Sequence, residues 1–190
     1  MQQESFALIE KLMSHHKDDN EIISFIEKIG PTVLGIKPAS LLNVSGRVLI
    51  FCWNCFDKSS GIAYEMVKCG EGRVQLLIYH SESLAKVLAE PKTKRCLMRL
   101  GYPAAGTVND HVACLASRMR KNEYPHEIGL FLGYPLKDVY GFMGAPIPYR
   151  KTMGWRMYGD VRPSESIYYA YKAARNDVRN MMKQACCNNI

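Results

Sequence analysis

A chain of 190 residues with 47% hydrophobic content holds enough apolar material for one core without disulfide or metal staples. Its longest apolar run, Val48 to Trp53, is too short to span a bilayer, Met1 to Glu4 lacks a basic region followed by a sustained apolar segment, and seven scattered cysteines do not resemble a secreted disulfide framework. These features exclude membrane-spanning and disulfide-stapled classes, and the expectation is a soluble, cytoplasmic protein with reduced thiols.

The net charge of +7 is unevenly placed. Residues 1–30 carry Lys11, Lys17 and Lys28 against Glu4, Glu10, Asp18, Asp19, Glu21 and Glu27. Residues 141–190 reverse the balance, with Arg150, Lys151, Arg156, Arg162, Lys172, Arg175, Arg179 and Lys183 against Asp160, Glu165 and Asp177. A basic tail suits an acidic head, an anionic ligand or nucleic acid.

In chain order, Phe6, Ile9, Leu12 and Met13, and then Ile22, Ile23, Phe25 and Ile26, predict two short amphipathic helices around the polar run His15 to Asn20. Gly30-Pro31 ends the second, and Thr32 to Pro38 reads as extended chain. Strands are predicted over Arg47 to Trp53, Ile62 to Lys68 and Arg73 to Tyr79, with Cys69 to Gly72 as a hairpin turn, in an antiparallel meander. Alternation of Val74, Leu76 and Ile78 marks the last as half-buried.

Helices follow over Ser81 to Ala89, Pro91 to Leu100, Val108 to Lys121, His126 to Leu132, Leu136 to Met143 and Pro163 to Cys186. Leu100-Gly101-Tyr102-Pro103 and Leu132-Gly133-Tyr134-Pro135 repeat one ending, in which glycine takes the left-handed position, tyrosine packs back and proline stops the helix. Gly154 to Asp160 predicts a short strand that joins the sheet. The fold class is therefore α+β: one domain over 1–190, helical in 1–30, strand-rich in 31–80, and mainly helical with one late strand in 81–190.

His126 and Glu127 follow Tyr124-Pro125 and are expected at the start of a short helix, where outward amides favour a carboxylate or anion and a neutral imidazole. In that position His126 transfers protons or binds metal, Glu127 orients it, and Tyr134 supplies a phenol nearby. The competing structural account has Glu127 capping the helix and His126 bonded to a loop carbonyl. Leu130 excludes His-Glu-x-x-His.

Cys52-Trp53-Asn54-Cys55 has redox-pair spacing after a predicted strand but no helix behind it to stabilise a thiolate. A zinc site would need Cys52, Cys55, Cys69 and His80 to converge. Cys186-Cys187, at the chain end, is expected to do no chemistry. In the last helix Ile167, Tyr171, Ala174, Val178 and Met181 form the core stripe. Beside it, Lys172, Arg175, Arg179 and Lys183 could meet phosphates and Tyr168, Tyr169 and Tyr171 could stack on a base or flavin. Gly-x-Gly-x-x-Gly and Gly-x-x-x-x-Gly-Lys-Ser/Thr are both missing, which excludes the common NAD- and ATP-binding folds.

The run Pro125-His126-Glu127-Ile128-Gly129-Leu130-Phe131-Leu132-Gly133-Tyr134-Pro135-Leu136, with Asp138, Val139, Gly141 and Phe142, resembles a domain of unknown function from anaerobic bacteria. The resemblance extends to Pro31-Thr32 with Gly35 and Lys37, to Leu77 through Leu84, to Leu100-Gly101-Tyr102-Pro103, and to Gly154-Trp155 with Tyr158-Gly159-Asp160. It departs at Ile29 and Ala173-Ala174, where relatives place cysteines. It implies a cytoplasmic protein of anaerobes whose relatives accompany flavodoxin and iron-uptake functions, and it brings no established catalytic residues.

The expected function is a cofactor- or metabolite-binding accessory protein in redox or metal metabolism. His126 and Glu127 stand at the pocket mouth, Tyr134 lines it, and Arg150 or Arg156 attracts an anionic group; flavin, haem and divalent metals are the cofactors to test. One alternative is an enzyme with His126 and Glu127 as general base and orienter and Cys52 or Cys114 as nucleophile. Another is nucleic-acid or protein binding through the basic last helix.

Overall fold

Strand β3 (Arg73–His80) organises the molecule, because Leu76 and Ile78 point to one side of it and Leu77 and Tyr79 to the other, and all four are buried. The computed structural model describes residues 2–14, 16, 19–56, 61–70, 73–121 and 124–187. Antiparallel partners flank β3: β1 (Ala39–Ser45), with Leu42 opposite Leu76, and β2 (Ile62–Gly70), with Met66 opposite the same Leu76. The strand order β1-β3-β2 is not a meander, since the first strand joins the far side of the third. Residues 71 and 72 of the expected hairpin turn lie outside the described set, as do His15, Lys17 and Asp18 of the polar run.

One face of this sheet carries α1 (Gln2–Ser14), α2 (Asn20–Val33), α3 (Gly46–Cys55) and α9 (Arg162–Cys187). Ile9, Ile26, Ile29, Phe51, Val178 and Met182 fill the layer between them. The other face carries α4 (Ser81–Ala89), α5 (Pro91–Arg99), α6 (Val108–Arg120), α7 (Ile128–Phe131) and α8 (Leu136–Phe142), around Leu84, Leu97, Leu115 and Phe131. The fold is α+β, a small antiparallel sheet covered by helices, and because helices cover both sides β3 is buried on both faces rather than half-buried as its alternation suggests.

Three expectations are corrected. Arg47 to Trp53 is not a strand but most of α3: Ser45 accepts a hydrogen bond from the Val48 amide as N-cap, and Val48, Phe51 and Cys52 are buried at helical spacing while Trp53 is 76% exposed. α2 does not stop at Gly30-Pro31. It continues through Pro31 to Val33, so Thr32 and Val33 are helical, and the extended chain begins only at β1. The absent side chain of Gly30 lets α9 approach, since a β-carbon there would lie 2.7 Å from Val178 Cγ2. The late strand does not join the sheet: β5 (Trp155–Tyr158) pairs with β4 (Tyr149–Met153), which the sequence pattern did not indicate, as a separate hairpin turned at Gly154, where φ is +72°.

The two Leu-Gly-Tyr-Pro endings share one geometry. Tyr102 donates to the Leu97 carbonyl at 3.0 Å and Gly101 to that of Met98 at 3.1 Å. Tyr134 donates to Gly129 at 2.8 Å and Gly133 to Leu130 at 3.0 Å, with φ of +87° and +78° at Gly101 and Gly133. Both satisfy the last free carbonyls of a helix through a left-handed glycine. The second places Tyr134 where the helices meet the β4-β5 hairpin.

Candidate functional site

Asp138, in the first turn of α8, fixes that hairpin. The residue is 2% exposed, and its carboxylate accepts hydrogen bonds from Lys137 Nζ at 2.6 Å, Trp155 Nε1 at 2.8 Å, the Tyr158 amide at 2.8 Å and Ser164 Oγ at 2.6 Å. Burial alone would raise its pKa; the four donors outweigh burial and hold it below the ordinary carboxylate value. Gly141 completes the seat, because any β-carbon there would collide with the Tyr158 ring. Asp138 thus joins α8, β5 and α9, and its bond to the indole fixes the plane of Trp155.

Trp155 stacks on Tyr134, with ring centroids 4.4 Å apart and planes 14° from parallel. This aromatic pair separates two cavities that share it. The first, of about 360 Å³, is mainly apolar and is lined by Ile128, Leu132, Val139 and Phe142, with His126 and Arg156 at its rim. His126 meets the edge of Phe142 at 4.9 Å, and the Arg156 guanidinium lies 5.6 Å from the same ring. Burial pushes the Tyr134 phenol above its ordinary pKa, so it is a neutral donor at physiological pH.

The second cavity, of about 420 Å³, lies between α9 and the segment that follows α2. Tyr134, Trp155, Tyr168 and Tyr171 give it aromatic walls, and Lys37, Lys172, Arg175 and Arg179 give it positive charge; among the described residues no carboxylate lines it. Arg179 is tied to Glu27 at 2.5 Å. Among the described residues Lys37, Lys172 and Arg175 have no ion-pair partner. Lys37 Nζ lies 5.7 Å from the Tyr171 ring centroid, and burial, together with Arg175, lowers its pKa to about 8.

His126, Tyr134 and Arg156 therefore line one cavity. Glu127 does not join them: it is 2% exposed and faces α6, where it accepts a hydrogen bond from Tyr102 Oη at 3.1 Å and pairs with Arg118 Nε at 2.8 Å. The reason is local. α7 is a single turn, Glu127 makes no capping bond to it, and adjacent residues at its start diverge, His126 to solvent and Glu127 to the core. Arg150 is exposed on β4 and lines neither cavity.

Neither cavity is lined by a cysteine. Cys52 is buried in the α1-α2-α3 layer, where burial first and then Cys55 push its thiol up to about 12. Cys114 packs in the opposite layer on α6. Cys69 stands at the hairpin end of the sheet and His80 at the other, about 20 Å apart along the strands, so they cannot share one zinc ion. His80 Nδ1 accepts instead from the Ser83 amide as the N-cap of α4. The side chains of Cys69, Cys186 and Cys187 lie outside the described residues. Among the described residues no group of three or more His, Cys, Asp or Glu is arranged to hold a metal ion.

The basic and aromatic rows of the last helix meet in the second cavity through Tyr168, Tyr171, Lys172, Arg175 and Arg179, whereas Tyr169 is exposed. Lys37, Trp155 and Asp138 carried no site signal in the sequence.

No helix among the described residues is long and apolar enough to cross a membrane. No curated protein and no solved structure matches the chain. A family model described as "Protein of unknown function (DUF3793)" matches residues 25–190, and with most of its length matched, the chain belongs to that family.

Proposed function

We propose that the protein binds a small planar cofactor or metabolite in the cleft organised by Tyr134 and Trp155. The observation that carries this reading is a stacked aromatic pair locked by a buried carboxylate and bordered by cavities of about 360 and 420 Å³, the size range of small-molecule sites. His126 and Arg156 supply convergent polar groups at the rim of the apolar side. An accessory place in redox or metal metabolism is the setting that the family resemblance suggests, and it makes flavin and haem the first ligands to try.

The chain has two tryptophans, Trp155 in the cleft and the exposed Trp53. Replacing Trp53 with Phe leaves Trp155 as the only indole reporter. Absorbance of the protein purified from cells, followed by titration with flavin, haem and divalent metals, is expected to show a bound chromophore or saturable quenching of Trp155. His126→Ala should weaken that binding without loss of folded structure. A protein that carries no chromophore and shows no saturable response, or binding unchanged in both His126→Ala and Trp155→Leu, rejects the reading.

A further inference from the structure

The α9 cavity gathers four cations, of which, among the described residues, only Arg179 has an ion-pair partner. Lys172 and Arg175 lie one helical turn apart on α9, Lys37 reaches the cavity from the loop between α2 and β1, and Pro31 and Asn176 close it between them. Glu27 pairs with Arg179 and its charge also reaches Arg175, and among the described residues no carboxylate forms an ion pair with Lys37, Lys172 or Arg175. Lys37 is half-buried beside Arg175, while Lys172 and Arg175 are exposed at the cavity edge, so an anion entering the cavity meets all three cations. The aromatic walls stand within the same cavity, so that anion is attached to a ring.

We propose that Lys37, Lys172 and Arg175 form a phosphate subsite, and that the ligand is a planar aromatic ring bearing a phosphate, its ring against Tyr168, Tyr171 or the Trp155 face. The inference rests on the small-molecule reading above and narrows it to a chemical class. Arg175 offers a planar fork suited to two phosphate oxygens, and the two lysines act as point charges. Tyr171 is held in place by donating to the Gly133 carbonyl at 3.2 Å, which makes the platform rigid before a ligand arrives.

The test compares three pairs by calorimetry and Trp155 fluorescence in phosphate-free buffer: adenosine monophosphate with adenosine, flavin mononucleotide with riboflavin, and pyridoxal phosphate with pyridoxal. At least one phosphorylated member should bind about tenfold or more tightly than its dephosphorylated partner. Lys37→Met with Arg175→Gln should abolish that preference while binding of the partner persists. The positions of both residues at the cavity surface make the double variant tolerable for folding, and a circular dichroism spectrum equal to wild type confirms it. Should that variant not fold, Lys172→Gln, at an exposed position of α9, replaces it and must reduce the preference.

Equal affinity for the two members of every pair overturns the phosphate subsite while leaving the small-molecule reading standing. Failure of all three phosphates to bind overturns the subsite too. Tighter binding of a single-stranded oligonucleotide than of any monophosphate also overturns it, in favour of backbone contact along α9.

Discussion

Lys37→Met should make the ligand-free protein more stable. The lysine sits half-buried in the α9 cavity without a carboxylate, facing Arg175, Lys172 and Tyr171 on α9 and Tyr134 on the α7-α8 connection. Its pKa falls from the ordinary 10.5 to about 8, chiefly because burial disfavours the charged form and secondarily because of Arg175. At about 1.4 kcal/mol per unit, holding the charged form in the folded state costs at most about 3 kcal/mol near neutrality. The methionine retains most of the aliphatic packing but forfeits the contact of the cation with the Tyr171 ring, worth about 1 kcal/mol. The net gain is about 1–2 kcal/mol, or a rise in Tm of about 2–8 °C.

The sign has a pH signature. Below about pH 8 Lys37 is charged in both states and its whole cost is present. Between about 8 and 10.5 the unfolded chain keeps the proton that the folded protein has released, so wild-type stability rises with pH relative to the variant. Urea denaturation of both proteins from neutral to alkaline pH should show the variant ahead at neutrality and the gap closing across that window. A variant less stable than wild type at neutral pH, or a gap that does not change with pH, refutes the reasoning.

Asp138→Ala removes the acceptor of four donors and strands Lys137, so it should cost about 3–5 kcal/mol by urea denaturation, with a shift in Trp155 emission. Because its folded pKa is depressed, Asp138 adds stability above the ordinary carboxylate value of 3.8 and loses it as pH falls below, so the variant's deficit should shrink in acid. Gly101→Ala and Gly133→Ala test two copies of one helix ending: the first meets open space and should cost about 1–2 kcal/mol of left-handed strain, while the second also drives its β-carbon to 2.7 Å from Pro38 Cδ and should cost more in thermal unfolding. Cys52, with its thiol pushed up to about 12, should resist iodoacetamide in the folded protein at about pH 8 and react once denatured.

Which parts of the fold were legible follows from the range of the signal. The helices from Ser81 to Leu100, α6 and α9 declared themselves because periodicity, caps and proline stops are local, and both Leu-Gly-Tyr-Pro endings were legible for the same reason. Val48 to Trp53 was misread because a six-residue apolar run has no period of its own, and the serine that caps it as a helix lies just before it. β1 escaped because its burial comes from pairing with β3, from 28 to 40 residues on. His126, Tyr134 and Arg156, singled out by residue type, line one cavity, but the direction of Glu127 was not legible, since Arg118 and Tyr102, which claim it, come from other elements. Asp138 is the same case: its donors include Trp155, Tyr158 and Ser164.

The buried charges separate structure from function. Glu127 and Asp138 are each about as buried as a side chain can be, and each is met by a cation and by hydroxyl or N–H donors, so each stabilises what surrounds it. Lys37 has no such partner, although Glu27 stands close enough to claim Arg179 from the same cavity. A chain selected only for stability would exchange that lysine for an apolar residue of similar shape, because the exchange is favourable in the free protein. Its presence beside Arg175 and the Trp155 wall makes sense if binding supplies the missing negative charge, and the stability that Lys37→Met adds should then be matched by affinity lost.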